Sequence, residues 1–162
     1  MKKLTLKRLK NSALYYLERY EASAGKLRSV LERKLIKAAK EQTVPPEAHD
    51  WIETIIRQMQ DLGYINDKRF AENTVRRLSE AGKSRSFIRG KLKLAGIDEE
   101  DINTVLADTE DLDAARLLVQ KKHLGHDFKR DLARLARAGF SYEIAREALE
   151  EIASFPMEDN FT

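Results

Sequence analysis

Apolar residues recur along this chain at the three-and-four spacing of helices, and no stretch alternates with the period of two that a half-buried strand requires. The pattern predicts a first helix over roughly Ser12–Ala22, with Ala13, Leu14 and Leu17 on one face. A second follows over Lys26–Lys40, with Leu27, Val30, Leu31 and Leu35 inward. A third starts after Pro45-Pro46, where a missing N–H costs nothing in a first turn, and turns Trp51, Ile52, Ile55, Ile56, Met59 and Leu62 inward. The next triplet opens with Asn66 as an N-cap between Ile65 and Phe70, which hold the hydrophobic-staple positions. Its first helix carries Phe70, Ala71, Val75 and Leu78 and ends at Gly82. Its second is capped by Ser84 and turns Phe87, Ile88, Leu92 and Ala95 inward, and its third is capped by Asp98 and buries Ile102, Val105 and Leu106. Three more helices fit Leu112–Leu124, Phe128–Ala138 and Tyr142–Ala153, with Ser141 as the last cap. Their inward positions are Ala114, Leu117 and Leu118, then Leu132 and Leu135, then Ile144, Ala148, Leu149 and Ile152.

The three triplets resemble one another. Ten residues after Gly25, Gly82 and Gly125 stand Leu35, Leu92 and Leu135, and fourteen after stand Ala39, Gly96 and Gly139. An internal period of this kind predicts an all-α fold of three tandem three-helix repeats, each leaning on its neighbour for burial. The expected division is a basic N-terminal arm over 1–10, repeats over 11–65, 66–110 and 111–154, and a flexible tail over 155–162. The first repeat is longer, and its extra length is expected in an elongated turn around Lys40 to Asp50.

Charge follows the same period. The net charge of +3 divides into +9 over residues 1–40, −4 over 41–65, +6 over 66–97, −8 over 98–113, +5 over 114–139 and −5 over 140–162. In each repeat the first two helices are basic and the third is acidic. Helix-dipole complementarity explains some of this, such as Asp98 to Asp101 in a first turn. It does not explain the crowding of Arg76, Arg77, Lys83, Arg85 and Arg89 in one repeat, or of Lys121, Lys122, Lys129, Arg130, Arg134 and Arg137 in another. Aligned repeats would bring such residues into a cationic stripe suited to phosphates or to an acidic protein groove. Arg85, Arg89 and Lys93, spaced by four, form a comb on one helix. With Arg28, Arg33 and Lys34 of the first repeat these cations make up the candidate DNA- or filament-binding set.

Other chemistry finds little support. The chain has no cysteine, which excludes disulfides and thiolate chemistry and suggests a cytoplasmic setting. No hydrophobic run approaches a membrane span, and the basic start is followed by no long apolar stretch of the kind a secretory signal has. A helix-turn-helix reading of residues 84–106 would send Asp98-Glu99-Glu100-Asp101 into the major groove, against phosphate charge. His123 and His126 are separated by Gly125 and lack further ligands, so no metal site is expected. Neither a phosphate-binding glycine loop nor a nucleophile elbow occurs, and no catalytic residues or cofactors are expected.

The segment Leu62-Gly63-Tyr64-Ile65-Asn66-Asp67-Lys68-Arg69-Phe70-Ala71 resembles the signature of the RecX family of recombination regulators. Ala13-Leu14 with Leu17 and Ser23 with Leu27 are similar to the family's opening, Ile88, Leu92 and Gly96-Ile97 to its middle, and Ala138-Gly139-Phe140-Ser141 to its end. The resemblance implies structural roles for Gly63, Tyr64, Asn66, Asp67, Phe70, Gly96 and Gly139. It also implies an elongated, curved, non-enzymatic array that lodges in the RecA filament on single-stranded DNA and inhibits ATP hydrolysis and strand exchange. Partners would be RecA and single-stranded DNA, with duplex DNA bound without sequence specificity, and the chain would act as a monomer. Lys34 to Thr43 departs from the family in being longer and more basic. The alternative is a helical-repeat scaffold that recognises an acidic protein without DNA.

Overall fold

A computed structural model describes residues 2–154. Among the described residues there are nine helices and no strand: α1 Leu6–Leu17, α2 Ala24–Glu41, α3 Ala48–Asp61, α4 Asp67–Glu80, α5 Arg85–Leu94, α6 Glu99–Leu106, α7 Asp111–Lys121, α8 Phe128–Arg137 and α9 Tyr142–Ser154. The expected tail, 155–162, lies outside them. The chain forms two compact units. Among the described residues, one runs to Ala71 and includes Leu92–Asp101; the other comprises Glu72–Lys91 and residues 102–154.

In the first unit α1, α2 and α3 pack on one another around Leu9, Leu27, Leu31, Ile55 and Met59, all fully buried. Helix α1 begins six residues before the expected Ser12, because the Thr5 hydroxyl caps it by accepting from Arg8 N–H at 3.3 Å. In the second unit α9 packs on α7 and α8 around Val119, Leu135, Ala145 and Leu149.

The repeats meet through one joint, built twice. In the first unit the Ser23 hydroxyl caps α2 by accepting from Lys26 N–H at 3.1 Å and donates to Ala95 C=O at 2.5 Å. The next N–H, of Ala24, donates to the Asp67 carboxylate at 2.8 Å. In the second unit Ser84 caps α5, accepting from Phe87 N–H at 3.1 Å, and donates to Ala138 C=O at 3.1 Å. The next N–H, of Arg85, donates to the Asp111 carboxylate at 2.7 Å. Ala95 and Ala138 each precede a glycine with positive φ, Gly96 at +78° and Gly139 at +96°. The partners are thus the first residue of the following repeat's first helix and the residue just after its second helix.

This joint corrects the sequence register of the first repeat. Ser23 corresponds to Ser84, so Gly25 lies two residues after the cap whereas Gly82 lies two before it. The leucine equivalent to Leu92 and Leu135 is Leu31, and the expected Leu35 is one helical turn too far. Ala39 is inside α2, not at a helix end like Gly96 and Gly139. The extra length of the first repeat therefore falls mainly in α2, 18 residues against 10 in α5 and α8, and the turn after it spans only 42–47. With no glycine at the place where α5 and α8 stop, Lys37-Ala38-Ala39-Lys40 simply continues the helix.

Three expected core residues face outward. Leu62 is the C-cap of α3 and 63% exposed, and Ile152 is 36% exposed. Phe87 falls beside the buried stripe of Ile88 and Leu92 and is 37% exposed. Val30, Trp51, Val75, Val105, Leu117, Leu118, Leu132 and Ile144 are half-buried, while Ala115 and Val119 are buried though unexpected.

The joint tolerates no extra atom. A Cβ on Gly25 would stand 2.6 Å from Ala95 O and 3.1 Å from Gly96 Cα, both backbone. Gly25→Ala is expected to destabilise the fold by about 1–3 kcal/mol, and Ser84→Ala by about 1–2 kcal/mol through loss of the cap. Urea unfolding followed by circular dichroism measures both; a Gly25→Ala midpoint equal to that of the wild type would contradict this account of the joint.

Candidate nucleic-acid interface

The second helix of each repeat presents one buried stripe and one solvated face. In α2 the stripe is Leu27, Leu31 and Leu35, in α5 Ile88 and Leu92, and in α8 Asp131 and Leu135. The cations stand on the other side of each helix.

Several of them are tethered within the protein. Arg28 grips Glu53 of α3 with Nε at 2.7 Å and a second nitrogen at 3.2 Å. That hydrogen bond raises the guanidinium pKa and lowers that of the Glu53 carboxyl. Arg89 donates to Asn103 of α6 at 2.9 Å, and Lys93 pairs with Glu99 at 3.2 Å. Arg33 reaches back to Ser29 C=O at 3.3 Å, Arg76 donates to Asn73 at 3.0 Å, and Lys121 donates to Glu80 C=O at 2.6 Å. The Arg85 side chain is half-exposed, and its backbone N–H belongs to the joint. Lys34, Arg77, Lys83 and Lys122 are exposed.

Helix α8 differs. Lys129, Arg130, Arg134 and Arg137 are all exposed. The last three stand at i, i+4 and i+7, one face of a helix. Among the described residues their one ion pair is the 3.8 Å approach of Arg130 Nε to Asp131. On α9, Glu151 takes Arg116 of α7 through two bonds of 2.7 Å, and Glu150 pairs with Arg146 of its own helix at 3.7 Å. Those bonds raise the Arg116 pKa and lower that of Glu151. Acids gather elsewhere in the second unit, where Glu80, Asp108, Glu110 and Asp113 line a cleft of about 280 Å³. Asp98 pushes the neighbouring Asp101 carboxyl upward by charge repulsion.

The residues marked by the family signature fall mostly at turns, caps and contacts between helices. Gly63 holds φ at +77°, Asn66 caps α4 by accepting from Arg69 N–H at 3.0 Å, Asp67 completes the first joint and Phe70 is 6% exposed. Gly96 lies against Gly25, and Gly139 against the Ser84 hydroxyl. Tyr64 is the exception at 55% exposed. His123 and His126 are exposed, and among the described residues no group of three or more His, Cys, Asp or Glu could hold a metal.

Sequence reasoning missed Asp131, which occupies the place of Leu27 and Ile88 and is 1% exposed. Its carboxylate accepts from Gly125 N–H at 2.7 Å and from Asp127 N–H at 3.4 Å, closing the turn from which α8 starts. The signal available was a lone acid in an apolar register. It also missed Lys91, whose ammonium lies 5.4 Å from the Phe87 ring centroid.

Tandem helical triplets with exposed cations on their second helices define a helical-repeat protein. Comparison with known proteins narrows this. A family model described as RecX, second three-helix domain, matches residues 66–106. The chain is 35% identical over 157 positions to the regulatory protein RecX of Myxococcus xanthus, covering 88% of this chain and 84% of that one. It is 30% identical over 149 positions to the same-named protein of Agrobacterium fabrum, covering 86% and 80%. The crystal structure of RecX from Lactobacillus salivarius superposes with a TM-score of 0.68 at 25% identity, covering 92% of this chain and 97% of that one. The chain belongs to the RecX family, whose members in these comparisons carry the name of regulatory proteins. No helix among the described residues is long and apolar enough to cross a membrane.

The Gly125 N–H holds the Asp131 carboxyl below its ordinary range, aided by Asp127 N–H and Arg130 and opposed by burial. Because the folded-state pKa is depressed, the stabilisation is complete above the unfolded value of about 3.9 and is lost as pH falls through the folded value. Asp131→Asn is expected to cost about 1 kcal/mol at neutral pH, with the gap to wild type closing on acidification. Urea melts at pH 7 and pH 3 test this; a gap independent of pH would remove the charge from the explanation.

Proposed function

We propose that this chain is a non-enzymatic regulator of the RecA recombinase, binding the RecA–single-stranded DNA filament and suppressing ATP hydrolysis and strand exchange. Membership of a family of regulatory proteins supports the reading. The observation that carries the DNA contact is the exposed arginine row of α8, Arg130, Arg134 and Arg137, left free of third-helix carboxylates. Arginines spaced along one helix face address phosphates and carry no base code, so binding is independent of sequence. Arg77, Lys122 and Lys129 add to the phosphate-facing charge. The repeats over 11–65, 66–110 and 111–154 act as modules of a monomer working in the cytoplasm, with Arg28, Arg89 and Lys93 turned to partners within the first two repeats.

Titrating the protein into RecA on single-stranded DNA is expected to lower the ATPase rate; an unchanged rate at micromolar protein overturns the proposal. Arg130→Ala/Arg134→Ala/Arg137→Ala should weaken single-stranded DNA binding in fluorescence anisotropy and flatten its log–log salt dependence by about 2, at roughly 0.7 per phosphate contact. ATPase suppression without any DNA binding by the free protein would favour the scaffold reading, in which the same arginines meet an acidic protein surface.

A further inference from the structure

Phe87 has the pattern of a core residue and sits on the surface. The residue is 37% exposed on α5, with the Lys83 ammonium 5.0 Å and the Lys91 ammonium 5.4 Å from its ring centroid. Neither lysine has a carboxylate partner among the described residues, unlike Lys93 on the same helix. Phe87 and Lys91, spaced by four, share one face of α5, and Lys83 stands just before the cap residue Ser84.

Beside this ring the helix carries Gly90, three residues after Phe87 and inside α5. A glycine in a helix interior is destabilising relative to alanine. Neither usual reason for keeping one applies. Gly90 is not among the positive-φ glycines, and a Cβ added to it would meet nothing within 4 Å. What the glycine provides is bare surface next to an aromatic ring. The aromatic, the missing side chain and the two unpaired ammonium groups all fall within nine residues of the second unit.

We propose that Lys83, Phe87, Gly90 and Lys91 form a stacking site for one unpaired nucleic-acid base. The base lies on the Phe87 ring, its edge passing over Gly90, while the two ammonium groups leave the ring for the phosphates on either side. Stacking on an aromatic side chain accepts any base, because every base has a π-face. It requires that face to be free, and in a duplex the neighbouring base pairs cover it. The site therefore selects single strands, which the arginine row of α8, reading phosphates alone, does not do by itself. This inference rests on the DNA-binding reading above.

The test uses the full chain, an oligothymidine with one 2-aminopurine, and a duplex of equal length. Anisotropy reports binding, and quenching of the 2-aminopurine reports stacking. The wild type is expected to bind the single strand and quench the probe. Phe87→Leu should weaken single-strand affinity roughly tenfold, abolish the quench and leave the salt slope and duplex affinity unchanged. Phe87→Tyr should restore both signals. Gly90→Gln, placed in open space, should melt at or above the wild-type temperature yet lose the quench, which separates the site from folding. Wild-type quenching and single-strand preference in both Phe87→Leu and Gly90→Gln would overturn the stacking site while leaving the DNA reading intact. Wild-type protein that fails to bind the oligothymidine overturns the DNA reading itself, and the stacking site with it.

Discussion

Ser23 and Ser84 each use one hydroxyl twice. The oxygen accepts an N–H in the first turn of its own helix, and the proton goes to a carbonyl at the end of a helix in the following repeat. Helix ends leave N–H and C=O groups without partners, and burying such groups unpaired is costly. Here a start and an end satisfy each other, and an aspartate takes the next N–H. The close approach this needs is why Gly25, Gly96 and Gly139 are glycines. At α8 the same position is Asp127, which caps its own helix by accepting from Arg130 N–H at 3.1 Å. An ionised carboxylate has no proton to pass on. In that repeat a second carboxylate, Asp131, takes over the work of fixing the turn.

The charge alternation has two parts with different physical content. In the first two repeats, cations of the second helix are partly spent on the third: Arg28 on Glu53, Lys93 on Glu99, Arg89 on Asn103. These pairs are exposed and contribute about 0–1 kcal/mol each, so they orient side chains more than they hold the fold. In the third repeat Glu151 of α9 is claimed by Arg116 of α7 and Glu150 by Arg146 of its own helix, and among the described residues the α8 arginines form no ion pair with α9. A comb of basic residues with one spacing in sequence thus has different availability in different repeats.

Much of the fold was legible in the residues. Helical periodicity located all nine helices, and the caps at Asn66, Ser84, Asp98 and Ser141 each accept the N–H that cap chemistry expects. The first repeat was misjudged because its glycine was matched by identity. Gly25 permits close backbone contact within the joint, whereas Gly82 holds φ at +77° in a turn. One residue type served two physical needs, and the sequence pattern does not separate them. Phe87 was read as core because it adjoins Ile88 in an apolar stretch, and a register of one residue decides which of the two faces inward.

Periodicity, caps and charge blocks are local properties of a chain, and they were enough to establish helical triplets and their order. Family membership was legible from the same source, in the turn that links α3 to α4. Availability was not. Whether an arginine is tied to a carboxylate, whether a phenylalanine is covered, and whether a glycine fills a tight contact or leaves a surface bare depend on which residues from distant parts of the sequence arrive beside it. Ser23 lies 72 residues from Ala95 and Arg116 lies 35 from Glu151. Contacts at such separations come from packing one helix on another, and they exist only in the folded molecule.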